Sequence, residues 1–377
     1  MERKKWIVIV ILGVVIVASV GIYMLIPRKE EGGPTEGVWK EWAANVKEKH
    51  EGETVAILAG VHPSVDAMKK MTPEFEEATG IDVVWDEISE ADIHNKWMLE
   101  WQGHTGTYDI MTTMVELIGY YVPTGMLVDI GPYLDDPEKT PDWYDYEDFA
   151  LSARDLSVYK GKRYGAPTAV ESAFLYYRKD LFNQYNKTAP KTFEEMLELA
   201  KFFHNKDIDG DGNPDISGIS LRTTNSLSYV TFSWAYSFGG GWFDRKLYDE
   251  GKFECKLNNS GMVEAVEYFK ELLKYTPVGI EGFSHEEATT NFMMGKSAML
   301  WECTAMTPWV MDPDKSTVVD KVDWVPSLSG PTDEYSLMAG WSLCITNDSR
   351  HKDAAWDTIV WLTSRATQEK YIEAGGI

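Results

Sequence analysis

The chain has 377 residues, with 60 acidic against 36 basic side chains and a formal charge of −24 at neutral pH. That length exceeds one small core and suits two compact lobes. A hydrophobic share of 44% argues against global disorder, and the acidity argues against nucleic acid, whose phosphates need a clustered Lys/Arg face that is missing outside the N-terminus. Cys255, Cys303 and Cys344 are too few and too scattered for a disulfide scaffold or a zinc site, and their odd number leaves at least one thiol unpaired. The 15 Trp, 19 Tyr and 14 Phe either fill a core or line a binding cleft.

Arg3, Lys4 and Lys5 precede an uncharged run from Trp6 to Ile26, which Pro27, Arg28 and Lys29 end. As a helix rising about 1.5 Å per residue, the run spans the roughly 30 Å hydrocarbon layer. Residues 1–27 therefore read as an uncleaved signal anchor, a transmembrane helix. The alternative is a cleaved signal peptide, against which stands the poor cleavage sequence Ala18-Ser19-Val20-Gly21. The slight excess of basic residues ahead of the run sets the N-terminus inside. The acidic bulk then lies outside, beyond a linker over 28–52.

The remainder alternates strand and helix. Thr54–Gly60 reads as a buried strand, Ser64–Thr79 as an amphipathic helix stopped by Gly80, and Ile81–Trp85 as the next strand. Asp92–Gln102 follows as a helix and Tyr108–Thr113 as a strand. This spacing implies a parallel sheet with right-handed crossovers, whose ligands sit at the carboxyl ends of the strands. Gly60 to Ser64 and Thr113 to Glu116 fall on that edge. Further along, Thr192-Phe193-Glu194-Glu195 reads as a capping box opening a helix with Phe193, Met196, Leu197, Ala200 and Phe203 on one stripe. A helix runs from Gly261 to Tyr275, and Ser349 is read as the cap of a helix extending to about Thr363.

The sharpest local motif is Asp207-Ile208-Asp209-Gly210-Asp211-Gly212-Asn213-Pro214-Asp215. Carboxylates at positions 1, 3, 5 and 9 with glycine at 6 match the first part of a calcium loop, in which hard oxygen ligands wrap one cation. Gly218 stands where the bidentate glutamate belongs. The two readings are a structural calcium site on Asp207, Asp209, Asp211, Asn213 and Asp215, or a metal-free acidic turn. No hydrolase, Walker or dinucleotide signature occurs. Glu116, Glu171 and Glu302 could supply a carboxylate pair for glycoside hydrolysis, although so acidic a chain offers such candidates by chance.

Four stretches carry a family resemblance. Gly161-Lys-Arg-Tyr-Gly-Ala-Pro167 runs into Glu171-Ser-Ala-Phe-Leu-Tyr-Tyr-Arg-Lys-Asp180 and Pro190-Lys-Thr-Phe-Glu-Glu195. Phe75 to Val83, Phe292 to Met299, and Ala339-Gly340-Trp341 through Trp356 complete the set. Together they resemble extracellular solute-binding proteins of ABC importers, in the carbohydrate-binding group that includes maltose- and trehalose-binding proteins. The resemblance covers roughly 53 to 377. It implies an α/β, two-lobed periplasmic-binding-protein-like fold of type II, with parallel-rich sheets, flanking helices and hinge strands between the lobes. Lobe I is expected over 53–170 plus 340–377 and lobe II over 171–339. The family continues beyond Gly375-Gly376-Ile377, so a truncated C-terminus is expected.

By position, the resemblance places Glu171 at a sugar-binding carboxylate and Glu116 near another, and Gly340-Trp341 at a stacking position. Val61-His62 stands where maltose binders carry a charged pair, a departure that implies a different specificity. Tyr229, Trp242 and Trp301 are weaker candidates, with core packing as the competing reading. The resemblance implies a non-enzymatic receptor, monomeric, on the outer face of the cytoplasmic membrane. It would bind a sugar or oligosaccharide between its lobes and pass it to the transmembrane subunits of an ABC permease. No cofactor is required beyond the calcium considered above. The alternatives are a secreted glycoside-active enzyme, or the same receptor fold for a polyamine, metal or peptide.

Overall fold

The computed structural model describes residues 36–376 apart from 209, 225–230, 245, 246 and 248–250. The expected anchor over 1–27 lies outside the described residues, as do Asp209 and Tyr229. Among the described residues no helix is long and apolar enough to cross a membrane. The segment read as linker is largely helical: α1 spans Glu36–His50. Its Trp39 and Trp42 rings pack against Trp361 and Trp143, at centroid distances of 6.0 and 5.5 Å.

The first half follows the predicted alternation. β1 (Thr54–Gly60), α2 (Pro63–Thr79), β2 (Asp82–Ile88), α3 (Glu90–Gly103) and β3 (Ile110–Met114) succeed one another. α2 starts at Pro63, whose missing N–H costs nothing there, and ends at Gly80 with φ 70°, a left-handed C-cap that glycine adopts without strain. β4 (Ala166–Glu171) and β9 (Ala339–Ile345) complete a five-stranded sheet in the order β2-β1-β3-β9-β4. β1 pairs parallel with β2 and β3, whereas β9 runs antiparallel to both β3 and β4.

The second sheet has the order β8-β5-β7-β6, from β5 (Ala173–Arg178), β6 (Ser217–Leu221), β7 (Ser297–Cys303) and β8 (Val322–Val325). Only β6 and β7 pair in parallel there. Both sheets are therefore mixed, and the parallel-rich expectation is corrected. β9, returning from lobe II, runs against both neighbours, whereas β4, leaving lobe I, runs in the same sense as β1 to β3.

Helices α4 (Phe193–Phe203), α5 (Ser260–Leu272), α6 (His285–Met293), α7 (Lys352–Thr363) and α8 (Arg365–Glu373) cover the sheets. Two predicted caps change. Thr192 accepts the Glu195 N–H, but Glu195 returns its bond to Lys191 N–H, one residue outside the expected box. His351 holds the N-cap position of α7, while Ser349 donates to the buried Asp109 carboxylate at 2.6 Å. Each sheet carries its own apolar packing. The first sheet has one cluster on each face, centred on Ile57, Phe75, Trp356 and Trp361 and on Leu58, Trp97, Met111 and Tyr121, and the second sheet has one centred on Phe182, Phe203, Trp234 and Phe292. Two separately packed sheets joined by β4–β5 and by β9 make a two-lobed molecule with a cleft between.

Candidate functional site

The cleft opens where strands of both sheets end. A narrow cavity in the cleft is lined by His62, Glu90, Met114, Glu171, Arg222, Met306 and Trp341. Lobe I supplies His62 from the turn after β1, Glu90 as the first residue of α3, and Trp341 from β9. Glu171 is the last residue of β4, at the crossing. Lobe II supplies Arg222, directly after β6, and Met306, shortly after β7. All of them stand at strand ends or crossings, where side chains from many turns converge.

Local geometry aims each group. Trp341 sits at an irregularity in the β9–β4 ladder, where the register shifts between Trp341 and Ser342. Such a bulge bends a strand and re-aims a side chain. The indole is held between Gly60, where a Cβ would lie 3.3 Å from the ring, and His62, at a centroid distance of 5.3 Å. Gly340 has a structural reason to be glycine, because a Cβ there would lie 2.3 Å from the Ala169 carbonyl oxygen. Its hydrogen lets β4 and β9 close.

His62 caps α2. Its Nδ1 accepts the Ser64 N–H at 3.2 Å and lies 2.6 Å from Ser64 Oγ. A nitrogen that accepts a backbone N–H carries no proton in the neutral ring, so the proton sits on Nε2. That Nε2 is buried, has no hydrogen-bond partner, and stands 3.8 Å from Glu171 Oε2. Glu171 is itself only 7% exposed. A donor and an acceptor therefore face the cavity side by side, too far apart to satisfy each other.

The opposite wall is ionic. Glu302, fully buried on β7, takes a bidentate pair from Arg222, with Nε–Oε2 2.8 Å and Nη2–Oε1 2.5 Å, and accepts the Cys303 N–H at 2.7 Å. Arg222 Nη1 also lies 3.5 Å from Glu90 Oε1. Burial works against the Arg222 cation, but Glu302 and Glu90 outweigh it and hold the guanidinium firmly charged. Glu116, in the turn after β3, is exposed, but protein surrounds it closely on one side. That crowding pushes its carboxyl up to about 7, with Glu90 and Glu171 adding repulsion and Arg222 opposing.

The structure brings together His62, Glu171 and Trp341 on the cavity, and leaves Glu116 outside its lining. It places other candidates elsewhere. Trp301 is in the lobe II core, with its ring 5.5 Å from Phe193 and 5.8 Å from Trp234. Trp242 is half-buried against the same core. Glu302 is locked to Arg222 and so is unsuited to a hydrolytic pair. Sequence reasoning missed Glu90 and Arg222, although each is a charged residue just past an apolar strand.

The acidic loop closes on its own backbone. Asp207 accepts the N–H groups of Gly210 and Gly212 at 2.6 and 2.8 Å, Asp211 that of Asn213 at 2.8 Å, and Asp215 that of Ile208 at 2.7 Å. Among the described residues no group of three or more His, Cys, Asp or Glu side chains is arranged to hold a metal. The three cysteines are free thiols, and burial pushes the Cys344 thiol up to about 12.

Known proteins agree with this architecture. An erythritol/L-threitol-binding protein of Mycolicibacterium smegmatis is 26% identical over 349 residues, covering 87% of this chain and 70% of that protein. A mannitol-binding protein of Pseudomonas aeruginosa is 26% identical over 330 residues, covering 86% of this chain and 72% of that one. The crystal structure of an ABC transporter solute-binding protein from Agrobacterium radiobacter K84 in complex with ribitol superposes with a TM-score of 0.77. It is 24% identical and covers 87% of this chain and 81% of that one. The profile described as bacterial extracellular solute-binding protein matches residues 59–369, so the chain belongs to that family.

Proposed function

We propose that the cleft receives a small polyhydroxylated solute, a polyol or a single sugar unit, and that the chain delivers it unchanged to an ABC permease. The observation that carries this is the buried Nε2–H of His62 beside the Glu171 carboxylate, 3.8 Å apart and both facing the cavity. A hydroxyl placed between them accepts from His62 and donates to Glu171. This satisfies two groups whose isolation otherwise costs about 1–3 kcal/mol each. Trp341 offers its cavity edge to C–H surface, and Glu90 accepts from a further hydroxyl. Relatives that bind erythritol or threitol and mannitol point to the same class of solute. A thermal-shift screen over erythritol, ribitol, mannitol, glucose and maltose tests this: stabilisation by short polyols supports it, and product formation from an oligosaccharide would instead favour a glycoside-active enzyme.

In this reading the apolar N-terminal run tethers the receptor to the outer face of the membrane, next to the permease. Calcium in the Asp207–Asp215 loop is a further part of the proposal, with a structural role. At 100 times its Kd, calcium should raise stability by about 2.7 kcal/mol. A melting temperature unmoved by chelator and by added calcium removes the metal and leaves the turn.

A further inference from the structure

Among the interlobe contacts beside the cavity, two carboxylates of lobe I meet nitrogen groups of lobe II. The first is Glu90, with His285 Nδ1 at 2.9 Å and Arg222 Nη1 at 3.5 Å. The second is Asp66 on α2, whose Oδ2 accepts the Trp309 indole N–H at 2.9 Å and lies 3.2 Å from Lys315 Nζ. Ring packing joins the two on lobe II. His285 stacks on Trp309 with centroids 6.2 Å apart and planes at 20°, and the Lys315 ammonium sits 5.3 Å over the Trp309 ring. Asp66, Trp309 and Lys315 do not line the cavity.

We propose that Asp66, Trp309 and Lys315 form a latch, continuous with the Glu90–His285–Arg222 cluster, that holds the lobes shut and sets the receptor's affinity from outside the cavity. The inference rests on the cleft being the ligand site. A ligand trapped between lobes leaves only when they part, so its apparent Kd scales inversely with the closed fraction. Each latch contact exists only in the closed form and therefore adds to that fraction. Removing one should act mainly on the rate of release.

The latch also carries a pH dependence. His285 Nε2 lies 3.2 Å from the Val61 carbonyl, which can only accept, while Nδ1 faces the Glu90 carboxylate. Nδ1 has no aligned hydrogen bond, so its contact with Glu90 is one of charge, and it strengthens on protonation, while a protonated Nε2 donates to Val61. The charged groups facing the ring are Glu90 from α3, Arg222 after β6 and Glu302 from β7, with Glu287 on its own helix. Burial opposes the imidazolium and Arg222 repels it, yet the Glu90 contact prevails and raises the ring above its ordinary 6.5. The contribution to closure is thus complete below about 6.5 and is lost as pH rises through the raised value.

Spin labels on Lys70→Cys and Asp314→Cys, in full-length protein with Cys255→Ser held in lipid nanodiscs, would read the gap between the latch faces by electron–electron dipolar spectroscopy. The short-distance population should be larger at pH 6 than at pH 8.5. It should fall roughly 3- to 10-fold with Asp66→Asn, the range for losing one charge-assisted, partly exposed contact. Trp309→Phe should give a similar loss, and the double variant little more than either alone, since both remove one interaction. In parallel, release of ribitol should quicken by the same factor. A short-distance population that is absent, or unchanged by Asp66→Asn, overturns the latch whatever ribitol does. Failure of ribitol and every other polyol to bind, with the distances behaving as described, rejects the ligand reading and leaves the latch as a property of the lobes.

Discussion

Arg222→Ala is expected to destabilise the protein by about 3–5 kcal/mol, the usual cost of removing one partner from a buried ion pair. Glu302 is fully buried, and two of its contacts are the guanidinium nitrogens at 2.8 and 2.5 Å. Without them it keeps only the Cys303 N–H and must be left charged in an apolar wall or take up a proton. Glu90 would lose its Arg222 contact at the same time. Urea denaturation of the variant checks this, and a loss below about 1 kcal/mol would show that water or another group replaces the guanidinium. Removing both charges, as Arg222→Met with Glu302→Leu, should recover most of the loss in stability, because the pair costs more to break than to omit. It should not recover binding if Arg222 holds the cleft wall in place.

Trp341→Ala is expected to weaken solute binding about 10- to 100-fold. The cavity edge of the indole, together with the His62 position it supports, is asked for one to two tenfold steps of about 1.4 kcal/mol each. The ring is also 5% exposed and packed on Gly60 and His62, so alanine leaves a hole and some stability goes with it. Trp341→Phe separates the two effects. It keeps a flat face and most of the volume, and should cost little stability and less than tenfold in affinity. Isothermal titration of both variants reads the difference. Equal affinities for all three proteins would remove Trp341 from the site.

Much of lobe I was legible because its signals are local. Thr54–Gly60, the helix ended by Gly80 and the next strand follow from runs, caps and spacing within a few residues. Strand direction in the lobe crossings was not legible in the same way. The antiparallel pairing of β9 depends on residues 339–345 meeting 110–114 and 166–171, contacts that no local pattern encodes. The site divides along the same line. His62, Glu171 and Trp341 were reached through strand ends and family position. Glu90 and Arg222 obey the same strand-end rule, which had not been applied to β2 or to lobe II. His285 gives no sequence signal at all, since its role arises only where α6 of one lobe meets Val61 and Glu90 of the other. Aromatic content by itself was ambiguous: composition does not separate Trp301 from Trp341, and it was family position, then packing, that set Trp341 on the cavity and Trp301 in a core.

The most direct test is calorimetric titration of the protein with ribitol, mannitol and erythritol, with the solute recovered afterwards. Saturable one-site binding near the micromolar range, about −8 kcal/mol, is expected, with the solute returned unchanged and the affinity lowered by Glu171→Ala. A chain that binds none of these and no other sugar, while its fold and the Glu171–His62 geometry persist, would contradict a polyol receptor.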